Sequence, residues 1–182
     1  ITTYMKNVGA ATDWSKMSKK ENDDCEWREV KISDLFEFVQ KEKHNSKVSC
    51  PFISCSGHNN GVSKYVNYYE YDGVYMTVAT DGSLNGTCFV QNGKFAVASN
   101  VIVLKLQDEY NYLGHAMFQL SFMLTFQINM KYSYSYKCNR ERLMNETIDY
   151  VPFCKDPKTG NKIIDVSGLQ YIYIYIEHLE LL

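Results

Sequence analysis

Residues 73–106 read GVYMTVATDGSLNGTCFVQNGKFAVASNVIVLKL, and this stretch decides the fold. Short runs of β-branched and aromatic residues bounded by polar turns are typical of strands. The stretch contains four such runs, at 74–80, 86–91, 94–98 and 101–106. Asn92 and Gly93 separate two of them and predict a tight type I′ hairpin, because both central residues of that turn need positive φ. The result is a sheet of neighbouring strands, with TDGSLNG as a polar loop.

The segments before this sheet predict shorter elements. Residues 27–32 alternate apolar and polar side chains, which indicates a strand. Ser33 is a good helix N-cap and Asp34 suits the positive end of a helix, so a short helix is expected over 34–41. In CPFISCSGHNNGVSKYV, residues 50–66, two strands flank a polar loop in which Asn60 and Gly61 indicate a tight turn.

The segments after the sheet are richer in helix. Apolar residues recur at helical intervals over 111–129, a second short helix is expected near 139–145, and the strand in TIDYVPF should end at Pro152. The tail is ambiguous, because its Tyr/Ile alternation is typical of a strand. Ile172, Ile176 and Leu179 nevertheless share a helix face, and a helix capped by Asp165 is favoured.

These patterns predict one α+β domain, a twisted mixed sheet with hairpins packed against a few helices. The predicted division is a polar linker or arm at 1–26, the domain at 27–164 and a C-terminal helix at 165–182. The 182 residues contain no apolar run of the ~18 residues that a membrane span needs, and the chain starts without a secretory signal. We therefore expect a soluble cytoplasmic protein without a membrane partner.

No catalytic or metal-binding constellation is evident. Phosphate-binding glycine loops, zinc-protease helices and nucleophile elbows are absent from the sequence. Cys50, Cys55 and His58 lack a fourth ligand for zinc, so the six cysteines are interpreted as free thiols. Asp72, Asp81 and Lys94 match a nuclease pattern only loosely. The expectation is a binding module without catalytic residues, metal or cofactor.

Charge is unevenly distributed along the chain, although the net charge is −2. Residues 131–162 carry seven cations against four anions, which gives a locally basic segment. It contains YSYSYKCNRERL, residues 132–143, where alternate tyrosines precede Lys137, Arg140 and Arg142. The alternation predicts a strand with Tyr132, Tyr134 and Tyr136 on one face as packing, followed by cations suited to phosphates.

Several motifs together resemble the target recognition domains of type I restriction-modification specificity subunits and of type IIG enzymes. They are W-x-x-x-K-I-S-D-L-F-E from Trp27, P-F-I-S-x-S-G-x-N-N-G-V from Pro51, T-V-A-T-D-G-S-L-N-G-T-C-F from Thr77, A-V-A-S-N-V-I-V-L from Ala96, and K-Y-S-Y-S-Y-K-C-N-R-E-R-L with I-D-Y-V-P-F. The match covers about residues 27–165. Ser135 and Val151 depart from the commoner Gly and Leu, and only one such domain is present, which suggests a half-subunit, a fragment or a type IIG recognition end.

The resemblance implies a module that reads double-stranded DNA and directs a partner methyltransferase and nuclease, either as separate subunits or as fused domains. An alternative is a protein-interaction or antirestriction module of the same fold that docks a methyltransferase without reading DNA. Cations are expected to meet phosphates, and amides or hydroxyls on glycine-containing loops to meet base edges. The candidate DNA-binding residues are Ser56, His58, Asn59, Asn60, Lys64, Ser83, Asn85, Lys94, Lys131, Lys137, Arg140 and Arg142.

Overall fold

The structure, a computed structural model, describes residues 26–82, 84–128 and 131–180. The predicted arm at 1–26 lies outside these residues except for its last position, and the candidate Ser83 lies outside them as well. In the described part of the chain, no helix is both long enough and apolar enough to cross a membrane.

The strands of the described residues form two sheets. They are β1 Glu26–Lys31, β2 Phe36–Phe38, β3 His44–Ile53, β4 Val62–Tyr69, β5 Tyr71–Ala79, β6 Cys88–Val97, β7 Val101–Leu106, β8 Thr147–Lys155 and β9 Lys162–Ile164. The larger sheet has the order β2-β7-β5-β6-β3-β4, and the smaller sheet has the order β1-β8-β9. The larger sheet is mixed, as predicted, because β3 and β6 run parallel while its other neighbouring strands are antiparallel.

The helices of the described residues cover one core. They are α1 Ile32–Leu35, α2 Met117–Ile128, α3 Arg140–Met144 and α4 Val166–Glu180, with a 3-10 helix at Asp108–Ala116 before α2. The helix predicted over 111–129 is therefore α-helical only in its second part. Leu120, Leu124 and Ile128 give α2 a continuous buried face, as their spacing predicts. The tail is helical, and the Asp165 carboxylate accepts a hydrogen bond from the Ser167 backbone N–H at 3.0 Å, as expected of a cap.

β7 is buried on both faces over residues 101–104, which explains the unbroken apolar sequence of this part of the strand. Ile102 and Leu104 face the main core beneath the helices, whereas Val101 and Val103 face a second, smaller core. A strand covered on both sides needs apolar residues at every position rather than at alternate ones. The apolar run at 101–104 thus lies between the two cores, and Lys105 follows it at the partly exposed end of the strand.

The predicted hairpin at Asn92-Gly93 is wrong. β6 continues through both residues, and Gly93 pairs with Gly73 of β5. Gly93 has a φ of +88° and so bends the strand instead of reversing it. The connection from β6 to β7 requires the β5–β6 hairpin to bend. Phe95 and Val101 pair with Tyr71 and Ala79 of β5, and these two partners would lie ~26 Å apart on a flat strand. The chain from Phe95 to Val101 reaches at most ~21 Å.

Two further boundaries differ from the predictions. The helix expected over 34–41 ends at Leu35, and Phe36 begins a strand that pairs with Leu106 of β7. The fully buried Phe36 ring shows that tertiary packing overrides the local helical pattern here. β8 also runs past Pro152, which pairs with Trp27 on the neighbouring strand.

Candidate nucleic-acid interface

Three loops converge beside the β5–β6 hairpin. Loop 1 comprises residues 54–61, loop 2 residues 80–87 and loop 3 residues 131–139. Loops 1 and 2 touch, since Gly57 packs against the Leu84 side chain. Loops 2 and 3 are joined by an ion pair of 2.8 Å between Asp81 Oδ1 and Lys137 Nζ. Residues distant in sequence therefore share one surface.

Loop 1 ends in a left-handed turn. Asn59, Asn60 and Gly61 have φ values of 50°, 53° and 79°. Non-glycine residues reach this region at a cost, and asparagine tolerates it best among the ordinary side chains. The turn is closed by the Gly61 backbone N–H, which donates to the His58 carbonyl at 3.0 Å. His58 and Asn59 project into solvent at its apex.

Asn60 and Ser56 are tied to the protein more closely than their exposed neighbours. Asn60 Nδ2 donates to the Val90 carbonyl at 2.9 Å, so its side chain is a structural link to β6, and a base contact by it is not supported. The Ser56 hydroxyl accepts from the His58 backbone N–H at 3.3 Å and stays partly exposed. Loop 1 therefore offers His58, Asn59 and Ser56 as polar groups at the surface.

Loop 3 is a turn, not the predicted strand. Ser133 and Tyr136 exchange backbone hydrogen bonds of 3.0 and 3.2 Å. The tyrosines consequently do not share a face, because Tyr132 is 6% exposed, Tyr134 is 80% exposed and Tyr136 lies between. Tyr132 packs against the interior of the protein, as expected of all three tyrosines. Tyr134 instead presents its ring at the surface, whereas the half-exposed Tyr136 ring stacks on Tyr132 with ring centres 5.9 Å apart.

Arg142 is fixed at the edge of loop 3. Its guanidinium lies 3.9 Å from the centre of the Tyr136 ring, and Nη1 donates to the Lys137 carbonyl at 2.6 Å. The predicted short helix that carries it is present as α3, capped by the Asn139 side chain, which accepts from the Arg142 backbone N–H at 2.8 Å. A guanidinium has five N–H donors, so this arrangement orients Arg142 and leaves donors for a ligand.

Lys137 and Asp81 neutralise each other in the free protein. Hydrogen bonding to Lys137, and then to the Gly82 backbone N–H, lowers the pKa of Asp81, and the carboxylate in turn raises the pKa of Lys137. Lys137 Nζ also lies 5.2 Å from the centre of the Tyr134 ring. A phosphate that approaches Lys137 therefore competes with the Asp81 carboxylate for the same ammonium group.

Two of the other predicted phosphate contacts are occupied or face elsewhere. Lys131 forms a 2.7 Å ion pair with Glu146, which also accepts from the Tyr132 hydroxyl at 2.8 Å. Burial first, and the bond to Glu146 second, raise the pKa of Tyr132. Arg140 lies over the Phe38 ring at 4.9 Å, away from the Arg142–Tyr136 contact. The basic segment is thus largely neutralised or divided by folding.

Lys64 is on β4, and Lys94 is on β6, next to the β3–β4 hairpin. Lys64 stacks on Phe52 at 4.7 Å near loop 1. Lys94 lies 4.7 Å from the Tyr69 ring centre at the opposite end of the hairpin, 4.0 Å from Asp72. Asp81 follows the far end of β5, so the loose nuclease pattern of Asp72, Asp81 and Lys94 is not assembled. Among the described residues no group of His, Cys, Asp and Glu side chains is arranged to hold a metal ion.

Asn85 is not at the surface. It is 1% exposed, and both ends of its amide are hydrogen-bonded to loop 3. Sequence reasoning assigned it to a base contact because it precedes a glycine in a polar loop. Gln91, which bonds to Asn60 from β6, was missed because a glutamine inside a strand carries no local signal of such a role.

The candidate site is thus a set of three polar loops that converge on one surface of a mixed sheet. The family model for the type I restriction modification DNA specificity domain matches residues 25–173, and the chain belongs to this family. This finding confirms the resemblance to target recognition domains. The matched residues include the whole domain predicted at 27–164.

The chain spans between about a third and a half of the length of the relatives that it matches. A putative type I specificity subunit of Mycoplasma pneumoniae is 30% identical over 132 residues, which cover 69% of the chain and 36% of that subunit. The crystal structure of a type I restriction-modification S subunit from M. genitalium superposes with a TM-score of 0.60 at 10% identity, over 99% of the chain and 47% of that subunit. At this identity the likeness shows the fold alone. An HsdS subunit from Thermoanaerobacter tengcongensis gives a TM-score of 0.48, with 11% identity over 85% of the chain and 37% of that subunit.

Proposed function

We propose that the chain reads the sequence of double-stranded DNA for a restriction-modification system and directs a methyltransferase, with its nuclease, to the target site. The observation that carries this proposal is the convergence of loops 1, 2 and 3 on one surface. The DNA specificity family supports it, and favours DNA reading over the alternative of a module that only docks a methyltransferase. The catalytic groups would then belong to the partner subunits or fused domains, and the chain would act in the cytoplasm with its DNA.

Base edges would be met from loop 1. The exposed Asn59 amide can donate and accept at once, as pairing with adenine N6 and N7 requires. His58 and Ser56 lie beside it on the same turn. A side chain on a left-handed apex projects beyond the sheet, which suits entry into a groove, and strained backbone of this kind is concentrated at functional sites.

The phosphate backbone would be held from loop 3 and α3. Arg142, oriented by Tyr136 and by the Lys137 carbonyl, is the leading candidate. In the described residues neither Arg142 nor Arg140 has a carboxylate within ion-pair distance, in contrast to Lys131 and Lys137. Lys137 would join after exchanging Asp81 for a phosphate, and Lys64 lies close enough to loop 1 to touch flanking phosphates.

Duplex binding at two salt concentrations tests the proposal. Duplexes enriched from a random pool by the full-length protein are compared with scrambled duplexes of equal length. We expect the enriched duplexes to bind at least ~1000-fold more tightly, in the range usual for specific recognition. Affinity for both should fall by ~0.9 logarithmic units per phosphate contact for each tenfold rise in salt concentration. Equal affinity for enriched and scrambled duplexes would contradict sequence reading.

A further inference from the structure

Two side-chain amides are buried directly behind the loops. Asn85 is 1% exposed and Gln91 is 4% exposed. A buried amide destabilises the fold unless both its oxygen and its NH2 group find partners. Both amides find those partners in segments that carry the exposed recognition side chains.

Asn85 holds both ends of the loop 3 turn. Its Nδ2 donates to the Ser133 carbonyl at 3.3 Å, and its Oδ1 accepts from the Cys138 backbone N–H at 3.1 Å. Ser133 and Cys138 flank the segment that contains Tyr134, Tyr136 and Lys137. One side chain of loop 2 thereby sets the position of the whole turn.

Gln91 does the same for loop 1. Its Nε2 donates to the Asn60 carbonyl at 3.0 Å and to the Thr77 hydroxyl at 3.2 Å, while its Oε1 accepts from Asn60 Nδ2 at 3.2 Å. This reciprocal amide pair fastens the left-handed turn to β6. It also offsets the conformational cost of holding Asn60 at positive φ.

We infer that Asn85 and Gln91 are positioning residues for sequence discrimination: neither would touch DNA, yet they fix where loops 3 and 1 stand on the β5–β6 hairpin. The inference rests on the proposed function. Base reading needs several groups to meet their partners at once, and its precision depends on the residues that support those groups. Phosphate contacts keep most of their affinity after small displacements, because this affinity depends mainly on charge, but they also set the register in which loop 1 meets the base edges. Losing either amide should therefore reduce discrimination more than it reduces general DNA affinity.

Amide hydrogen exchange of the DNA-free full-length protein tests the first half of the inference. For Asn85→Ala we expect exchange over residues 133–138 to accelerate at least ~10-fold, since one opened hydrogen bond of ordinary strength changes an equilibrium by about that factor. Asn85→Leu has nearly the same volume without a donor or acceptor, so the same acceleration is expected even if the alanine variant folds poorly. Asn92→Ala, an exposed asparagine on β6, is the control and should leave these rates unchanged. Unaltered exchange at 133–138 in both Asn85 variants would overturn the inference.

Duplex discrimination tests the second half. For Asn85→Leu and Gln91→Leu, which leave the charge unchanged, we expect the ratio of scrambled to enriched Kd to fall roughly 10-fold, with the scrambled Kd changing by less than about 2-fold. A ratio equal to that of Asn92→Ala would overturn the positioning role. If the wild-type protein itself showed no preference, the proposed function would fail. The exchange experiment, which needs no DNA, would still decide whether the amides hold the loops.

Discussion

The loop surface and the far end of the β3–β4 hairpin contain the same kinds of side chains on different backbones. At the hairpin end His44 stacks on Tyr69 with ring centres 5.1 Å apart, and Lys43 lies 4.1 Å from the centre of the Tyr68 ring. At the loop surface Arg142 lies 3.9 Å from the centre of the Tyr136 ring. Composition alone does not distinguish the two regions.

The backbones beneath them differ. His44 and Tyr69 are paired residues of β3 and β4, and although the register shifts between Asn45 and Cys50, none of these residues is at positive φ. The loop surface has a left-handed turn in loop 1 and two buried amides behind it. Cations and aromatic rings are frequent on any sheet surface, whereas strained turns held by buried polar groups are not. The supporting structure, rather than the residue types, therefore distinguishes the proposed recognition surface from the hairpin end.

The largest effect is expected from charge reversal, which should weaken DNA binding at the loop surface but not at the hairpin end. Arg142→Glu should weaken binding of the enriched duplex by about 100-fold, because it replaces a positioned guanidinium with a charge that phosphates repel. Fluorescence anisotropy at fixed salt measures this change. Lys94→Glu at the hairpin end is the matched control, and we expect a change of less than about 3-fold. Equal losses in the two variants would remove the distinction between the regions.

The next effect compares two exposed asparagines. Asn59→Ala should reduce discrimination by about 10-fold at one base pair of the target, in keeping with the usual worth of a bidentate amide contact. Asn92→Ala, on β6, should have no such effect. Competition binding with duplexes substituted at each position in turn locates the change. A loss spread evenly over all positions would speak against a base contact by Asn59.

A smaller effect concerns the bend of β6, the strand that contains Gln91 behind the loop surface and Lys94 at the hairpin end. Gly93→Ala should lower the free energy of unfolding by about 1 kcal/mol, since the φ of +88° is unfavourable for alanine. Gly114→Ala is the control: both glycines have open space for a methyl group, but Gly114 is not at positive φ. Chemical denaturation measures both variants, and equal stabilities would argue against backbone strain at Gly93.

The smallest effect concerns Asp81. Asp81→Asn frees Lys137 and removes a carboxylate from the loop surface, so affinity for scrambled duplex should rise by roughly 3-fold at low salt and less at high salt. Asp72→Asn frees Lys94 at the hairpin end in the same way and should leave affinity unchanged. Were the Asp72 variant to bind more tightly as well, the hairpin end would belong to the DNA surface.

The sequence predicts those parts of the fold that follow from local patterns. The two-sided apolar run of β7, the buried face of α2 and the Asp165 cap all agree with the structure. The predictions fail where pairing with distant segments of the chain determines the structure. Asn92 and Gly93 carry a strong turn signal, but pairing with β5 keeps them inside a bent strand. Phe36 continues a helical pattern, yet pairs with Leu106.

The candidate site divides in a similar way. His58, Asn59, Lys137 and Arg142 lie at least partly exposed, as residue type and loop position predict, and their contacts with DNA stay a prediction. Asn85 was assigned to the wrong role because a polar residue in a loop has the same sequence signal whether it faces solvent or the interior. The ion pairs that occupy Lys131 and Lys137 join them to Glu146 and Asp81, and such long-range partners cannot be inferred from one sequence.

Hydrogen exchange of the full-length protein with and without an enriched duplex tests the central claim most directly. The account predicts that DNA slows exchange at 56–61, 80–87 and 133–142, and leaves 43–47 and 67–72 at the hairpin end unchanged. Slower exchange at the hairpin end, together with unchanged exchange at the three loops, would contradict this account.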